Sequence, residues 1–99
     1  MPNDRDGQAI RELQDAATTA AVAYRNAAPR ERREMREAVR DAFAAVERAR
    51  LRLLDEGDDA TDADVAEARA IGAAIAKARR TGDIVYNVRR LAAFAVRFL

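Results

Sequence analysis

Carboxylates are the residues of this chain best suited to do chemistry. Glu31, Glu34 and Glu37 recur every three residues. Asp55, Glu56, Asp58, Asp59, Asp62, Asp64 and Glu67 follow one another with no base between them. Carboxylate oxygens are the natural ligands of hard cations such as magnesium and calcium. Histidine, cysteine and serine are all absent. Their absence removes the usual general base, thiolate metal sites, disulfides and any ordinary nucleophile–base pair. Catalysis or metal binding would have to rest on carboxylates alone.

The acidic run does not fit a calcium loop, which spaces its oxygens at alternate positions, turns on a glycine and closes with a bidentate glutamate. Gly57 comes too early and Glu67 is at the wrong offset. Helix capping and the helix dipole account for Asp62 and Asp64. Solubility accounts for the rest, so neither a metal nor another cofactor is expected. The three glutamates carry a different reading. All-helical nucleotide pyrophosphohydrolases hold magnesium with two pairs of carboxylates on facing helices, and Glu34 with Glu37 resembles one such pair in spacing. The second pair would have to come from Asp55 and Asp58, or from Asp59 and Asp62, which fall in a turn. Arg32, Arg33, Arg36 and Arg40 interleave the glutamates. Ion pairs at three- and four-residue spacing on a solvated helix face give the same pattern. No enzyme is expected; a magnesium-dependent nucleotide hydrolase stays as an alternative.

Arginine is the other candidate, because its planar fork donates two bonds to a phosphate. Arg30, Arg32, Arg33, Arg36 and Arg40 are neutralised by Glu31, Glu34, Glu37 and Asp41. Arg79, Arg80, Arg89, Arg90 and Arg97, with Tyr86, are nearly free of acids and form the better phosphate-binding set. Nucleic acid is therefore an alternative partner. A helix-turn-helix across Thr81-Gly82-Asp83 is conceivable, but a recognition helix should not be as apolar as the one that follows. Charge is unevenly spread: residues 1–54, 55–67 and 68–99 carry +2, −7 and +6. Such asymmetry can select a partner or drive head-to-tail association.

The elements that must position these groups are helices. Alanine and arginine dominate, both strong helix formers, and β-branched residues are too sparse for a sheet. With 49% apolar and 35% charged residues, the 99-residue chain reads as one globular domain, 1–99. The fold expected is an all-α antiparallel bundle of three to four helices, at about 4–26, 29–56, 62–80 and 84–98. Ile10, Leu13, Ala17, Ala20, Tyr24 and Ala27 alternate three and four apart, as do Met35, Val39, Ala42, Val46, Ala49 and Leu53. Asn3 or Asp4 is expected to cap the first helix. Pro29 divides the first two helices. Gly57, with Asp58 and Asp59, makes the next turn. Thr61 with Asp64 makes a short capping box. Gly82 is read as the stop of the third helix and Asp83 as the cap of the fourth, a kinked continuous helix being the alternative. No apolar run follows the first residues and no stretch approaches the ~20 apolar residues of a spanning helix. A cytoplasmic protein is expected.

The last helix stands out. Projected at helical pitch, its apolar residues cover an arc of about 200°, twice the ~100° stripe of an ordinary surface helix. It wants neighbours on several sides, within the subunit or beyond it. The reading that follows is a non-enzymatic interaction or assembly module. It would homo-oligomerise through Val88, Leu91, Phe94 and Phe98, helped by Ile71, Gly72 and Ile75, or bind another protein there. Gly72, spaced by four from Ala68 and Ala76, should mark a close helix crossing.

Overall fold

The computed structural model describes residues 4–57 and 59–99. Asn3 and Asp58, expected in a cap and a turn, lie outside the described residues. Four helices follow in order, α1 Asp4–Asn26, α2 Pro29–Asp55, α3 Asp62–Lys77 and α4 Thr81–Val96. Together they form an all-α bundle.

Local chemistry explains most of the boundaries. Ala28 is extended, as the residue before a proline should be, and Pro29 opens α2 where no backbone donor is needed. Ala28 has no side chain to cap with. Glu31 instead reaches back, its Oε1 accepting the Ala28 N–H at 3.0 Å. Past the end of α2, Gly57 takes a left-handed φ of 60°, the conformation glycine adopts without steric cost. The expected box at α3 forms in both directions. Thr61 Oγ1 accepts the Asp64 N–H and Asp64 Oδ2 accepts the Thr61 N–H, each at 3.1 Å.

The α3–α4 boundary differs from the expectation. α3 ends at Lys77 rather than Arg80, and α4 begins at Thr81 rather than Ile84. The break is made by extended residues, Ala78 at ψ 133° and Arg80 at ψ 142°. Gly82 and Asp83 are no stop and cap; both lie inside the first turn of α4. Any residue can adopt extended backbone, so a turn of this kind leaves no glycine signal to read. The two helices are separate, not one kinked rod.

Successive helices run antiparallel, but the broadest packing is between parallel pairs, α1 with α3 and α2 with α4. The parallel register of α1 and α3 is marked by Arg5 at Asp62, Glu12 at Arg69 and Ala16 at Gly72. Around the bundle the order is α1, α3, α4, α2. Among the described residues α2 and α3 are not neighbours. The segment joining them must therefore cross the end of the bundle diagonally. The two other connections only join adjacent helices.

Alanine makes this arrangement tight. Ala9, Ala16, Ala20, Ala38, Ala42, Ala49, Ala68 and Ala95 are almost wholly buried. Short side chains bring the helix axes close, and Leu13, Met35, Leu53, Ile71, Ile75, Val88 and Leu91 fill the centre. Each such side chain contributes roughly 1.5–3 kcal/mol by leaving water. The close crossing expected at Gly72 is there: a Cβ at this position would stand 3.4 Å from the Ala16 Cβ and 3.5 Å from its Cα. The molecule is a rod of 43 × 20 × 17 Å, and its two ends are built differently.

Candidate interaction surfaces

At one end the acidic segment is laced to bases from elsewhere in the chain. Arg5 pairs with Asp62 at 2.9 Å, Arg52 with Glu56 at 2.6 Å, and Arg97 with Asp64 at 2.9 Å. Arg90 reaches Glu67 at 3.9 Å. The antiparallel run of α3 and α4 places the acidic start of one beside the basic end of the other. Much of the charge asymmetry of the sequence is thus answered within the subunit. Arg97 also lies 5.7 Å from the centre of the Phe94 ring, which meets Phe98 edge-on at 5.5 Å.

Asp6 completes this end and had no signal in the sequence, where it reads as a first-turn acid. It is fully buried, and its Oδ1 accepts the Ala60 N–H at 3.0 Å. A buried backbone donor without an acceptor is costly. The carboxylate therefore lets the crossing segment lie on the apolar end of the bundle, with Ala60 only 4% exposed.

The carboxylates proposed as metal ligands are not brought together. Glu34 stands in the second turn of α2 and Asp55 at its last residue, so ~30 Å of helix, at 1.5 Å per residue, lies between them. Asp59 and Asp62 share the far end with Asp55. Among the described residues no three acids gather as a cation would require. Glu31 is committed elsewhere: its Oε2 accepts the Thr81 hydroxyl at 3.1 Å, tying the two turns of the opposite end together. The Ala28 N–H and then the Thr81 hydroxyl hold its carboxyl below the usual carboxylate range.

The arginine set is divided. Arg90 and Arg97 are engaged as described. Arg79, Arg80 and Arg89 are exposed and, among the described residues, have no ion-pair partner, and neither has Lys77. Arg79 borders an open cavity of about 550 Å³ at the end opposite the acidic segment, floored by Met35, Ile75 and Ile84 and rimmed by Thr19 and Asn26.

The expected contact residues sit in the subunit's own core. Val88, Leu91, Ile71, Ile75, Phe94 and Phe98 are all 6% exposed or less, and Gly72 faces α1. A charge at Leu91 or Phe94 would therefore report on folding. What α4 leaves outside is Tyr86, Val96 and, beyond its last turn, Leu99. Val96 and Leu99, 55% and 46% exposed, border a shallow groove against Ala44, Ala45 and Arg48 of α2, with Ala92 and Ala93 on its α4 side. Leu51, 48% exposed, continues the α2 side by one turn. On the other flank of α2, Phe43 borders a smaller hollow with Gln14 and Thr18 of α1.

No protein-family model, no curated protein and no solved structure matches this chain. Among the described residues no helix is long and apolar enough to cross a membrane.

Proposed function

We propose that this protein is a non-enzymatic helical assembly module of the cytoplasm that associates with itself along the exposed border of α4. The supporting observation is Val96 and Leu99, each about half exposed beside the alanine-lined groove of α2, with Leu51 exposed to the same degree one turn further along that helix. Apolar side chains gathered on one surface of a small protein mark contact sites. The residues first expected there are replaced by their outward neighbours, so the same helix serves core and contact at once. Absolute mass by light scattering at two salt concentrations tests the reading. A stable dimer or larger species at both salts supports it. A monomer at millimolar protein overturns it.

A second reading has an observation of its own. Among the described residues Lys77, Arg79 and Arg80 have no ion-pair partner near one end, Arg89 has none midway along α4, and the arginines opening α2 lie at the same end as the first three. Such a surface attracts a polyanion, and its affinity falls with salt. Changing Arg79, Arg80 and Arg89 together to glutamate should abolish salt-sensitive retention on a polyanion column. Unchanged retention dismisses nucleic acid as the partner.

A further inference from the structure

We infer that the α2–α4 groove seats a second copy of this chain about a two-fold axis passing between Ala44 and Ala45, so that α2 packs antiparallel against α2 of the partner subunit. The inference rests on the self-association proposed above and specifies its geometry.

The argument begins with charge. Asp41 and Arg48 both line the groove, seven residues apart on one face of α2, with Ala44 and Ala45 between them. Both are exposed, and among the described residues neither has an ion-pair partner in its own subunit. The opposite flank of α2 is different, because Glu47 and Arg50 there answer each other at 2.6 Å. A two-fold axis opposes each surface to itself, so that if one residue meets another, the reverse contact is also made. With the axis between Ala44 and Ala45, Asp41 falls opposite Arg48 of the partner subunit and Arg48 opposite Asp41 of the partner subunit. The unpaired charges of the groove are thus complementary to a copy of themselves.

Shape agrees with charge. Ala44, Ala45, Ala92 and Ala93 give the groove a floor without bulk, which lets a second helix approach closely. Leu51, Val96 and Leu99 stand around it and are covered by that helix. The same alignment sets Glu34 toward Asp55 of the partner subunit. Helices packed ridge into groove cross at an angle, commonly about 50°, which carries these ends apart. The central pairs stay together.

The test uses the full chain and two independent readouts. Asp41→Arg and Arg48→Asp each replace two attractive pairs with two like-charge pairs, and each should weaken the dimer by roughly tenfold or more. The double exchange, Asp41→Arg with Arg48→Asp, should restore it. Both positions are exposed, so the fold, checked by circular dichroism, is retained. The chain has no cysteine, so Ala44→Cys adds a single thiol next to the proposed axis. Mild oxidation should give a covalent dimer, since a disulfide needs Cα atoms within about 7 Å. Thr18→Cys, on the other flank, should not. A wild-type monomer overturns both the self-association and this geometry. A wild-type dimer that tolerates the single reversals, or that is not restored by the exchange, overturns the geometry alone. So does cross-linking at Thr18 rather than Ala44.

Discussion

The two ends of the bundle face opposite problems. At the end of Asp6, Asp64 and Phe98, the chain must cross from α2 to α3 between helices that are not neighbours. At the end of Glu31 and Thr81, both turns join adjacent helices and are tied to each other by the Thr81 hydroxyl on the Glu31 carboxylate, with no chain segment crossing between them. The crossing segment covers the core, and Gly57 and Ala60 are thereby taken out of water. Asp6 and the Thr61–Asp64 box supply acceptors for it, and Arg5, Arg52 and Arg97 neutralise the acids brought along. The uncrossed end keeps a cavity and a set of cations, Lys77, Arg79 and Arg80, that have no ion-pair partner among the described residues. Connection topology, rather than local propensity, decides which end is sealed. A sealed end needs buried polar groups that are fully satisfied.

Truncating the core at each end is the strongest way to break this comparison. Leu53 and Met35 are 0% and 1% exposed. Leu53→Ala, under the sealed end, should cost about 4 kcal/mol, because the void cannot collapse or fill with water. Met35→Ala, beside the open cavity, should cost only about 2 kcal/mol. Chemical denaturation measures both, and equal losses would show that the ends are packed alike.

Removing the buried acceptor comes next. Asp6→Ala leaves the Ala60 N–H unsatisfied and should cost about 2 kcal/mol. Amide exchange of the crossing segment should speed up before that of α1 and α3 does. Uniform acceleration throughout the bundle would mean that Asp6 acts on the whole fold rather than on this end.

The caps sharpen the contrast on a finer scale. Thr61→Ala should lose about 1 kcal/mol of α3 stability. At the other end Arg80 precedes α4 as its N-cap, extended at φ −94° and ψ 142°, and makes no side-chain capping bond. Arg80→Ser places an acceptor there and should gain roughly 0.5 kcal/mol. Melting temperatures that move in opposite directions would bear out the asymmetry.

The smallest effect concerns acid. Folding holds the Glu31 carboxyl low through the Ala28 N–H and the Thr81 hydroxyl. Its contribution is fully present above the ordinary carboxylate range and is lost as pH falls through the lowered folded value. Glu31→Gln should therefore melt slightly below wild type near neutrality, and the gap should close in acid. The group is exposed, so a difference of only ~1–2 °C is expected.

Much of the fold was legible in the sequence, in residues whose effect is local. Pro29 fixed one boundary, Gly57 and Thr61 two more, and the alternation from Met35 to Leu53 gave the buried face of α2. The α3–α4 break was displaced by several residues, because an extended turn uses no special residue. The contact surface was harder to read. The broad apolar arc of α4 calls for several neighbours, and its bulk meets α2, α3 and α1 within the subunit. Tyr86, Val96 and, beyond the last turn, Leu99 are left outside.

By itself the sequence determined that this chain would be helical, where most of its helices would begin and end, and which face of each would turn inward. Those properties follow from hydrogen bonding and side-chain periodicity within a few residues of chain. Tertiary structure alone decided that the broadest packing would join parallel helices, that acids of the acidic segment would pair with Arg5, Arg52, Arg90 and Arg97, and that Asp6 would be buried. These depend on groups up to 57 residues apart in the chain, such as Arg5 and Asp62. Their meeting is fixed by how four helices share one core, and no local pattern records it.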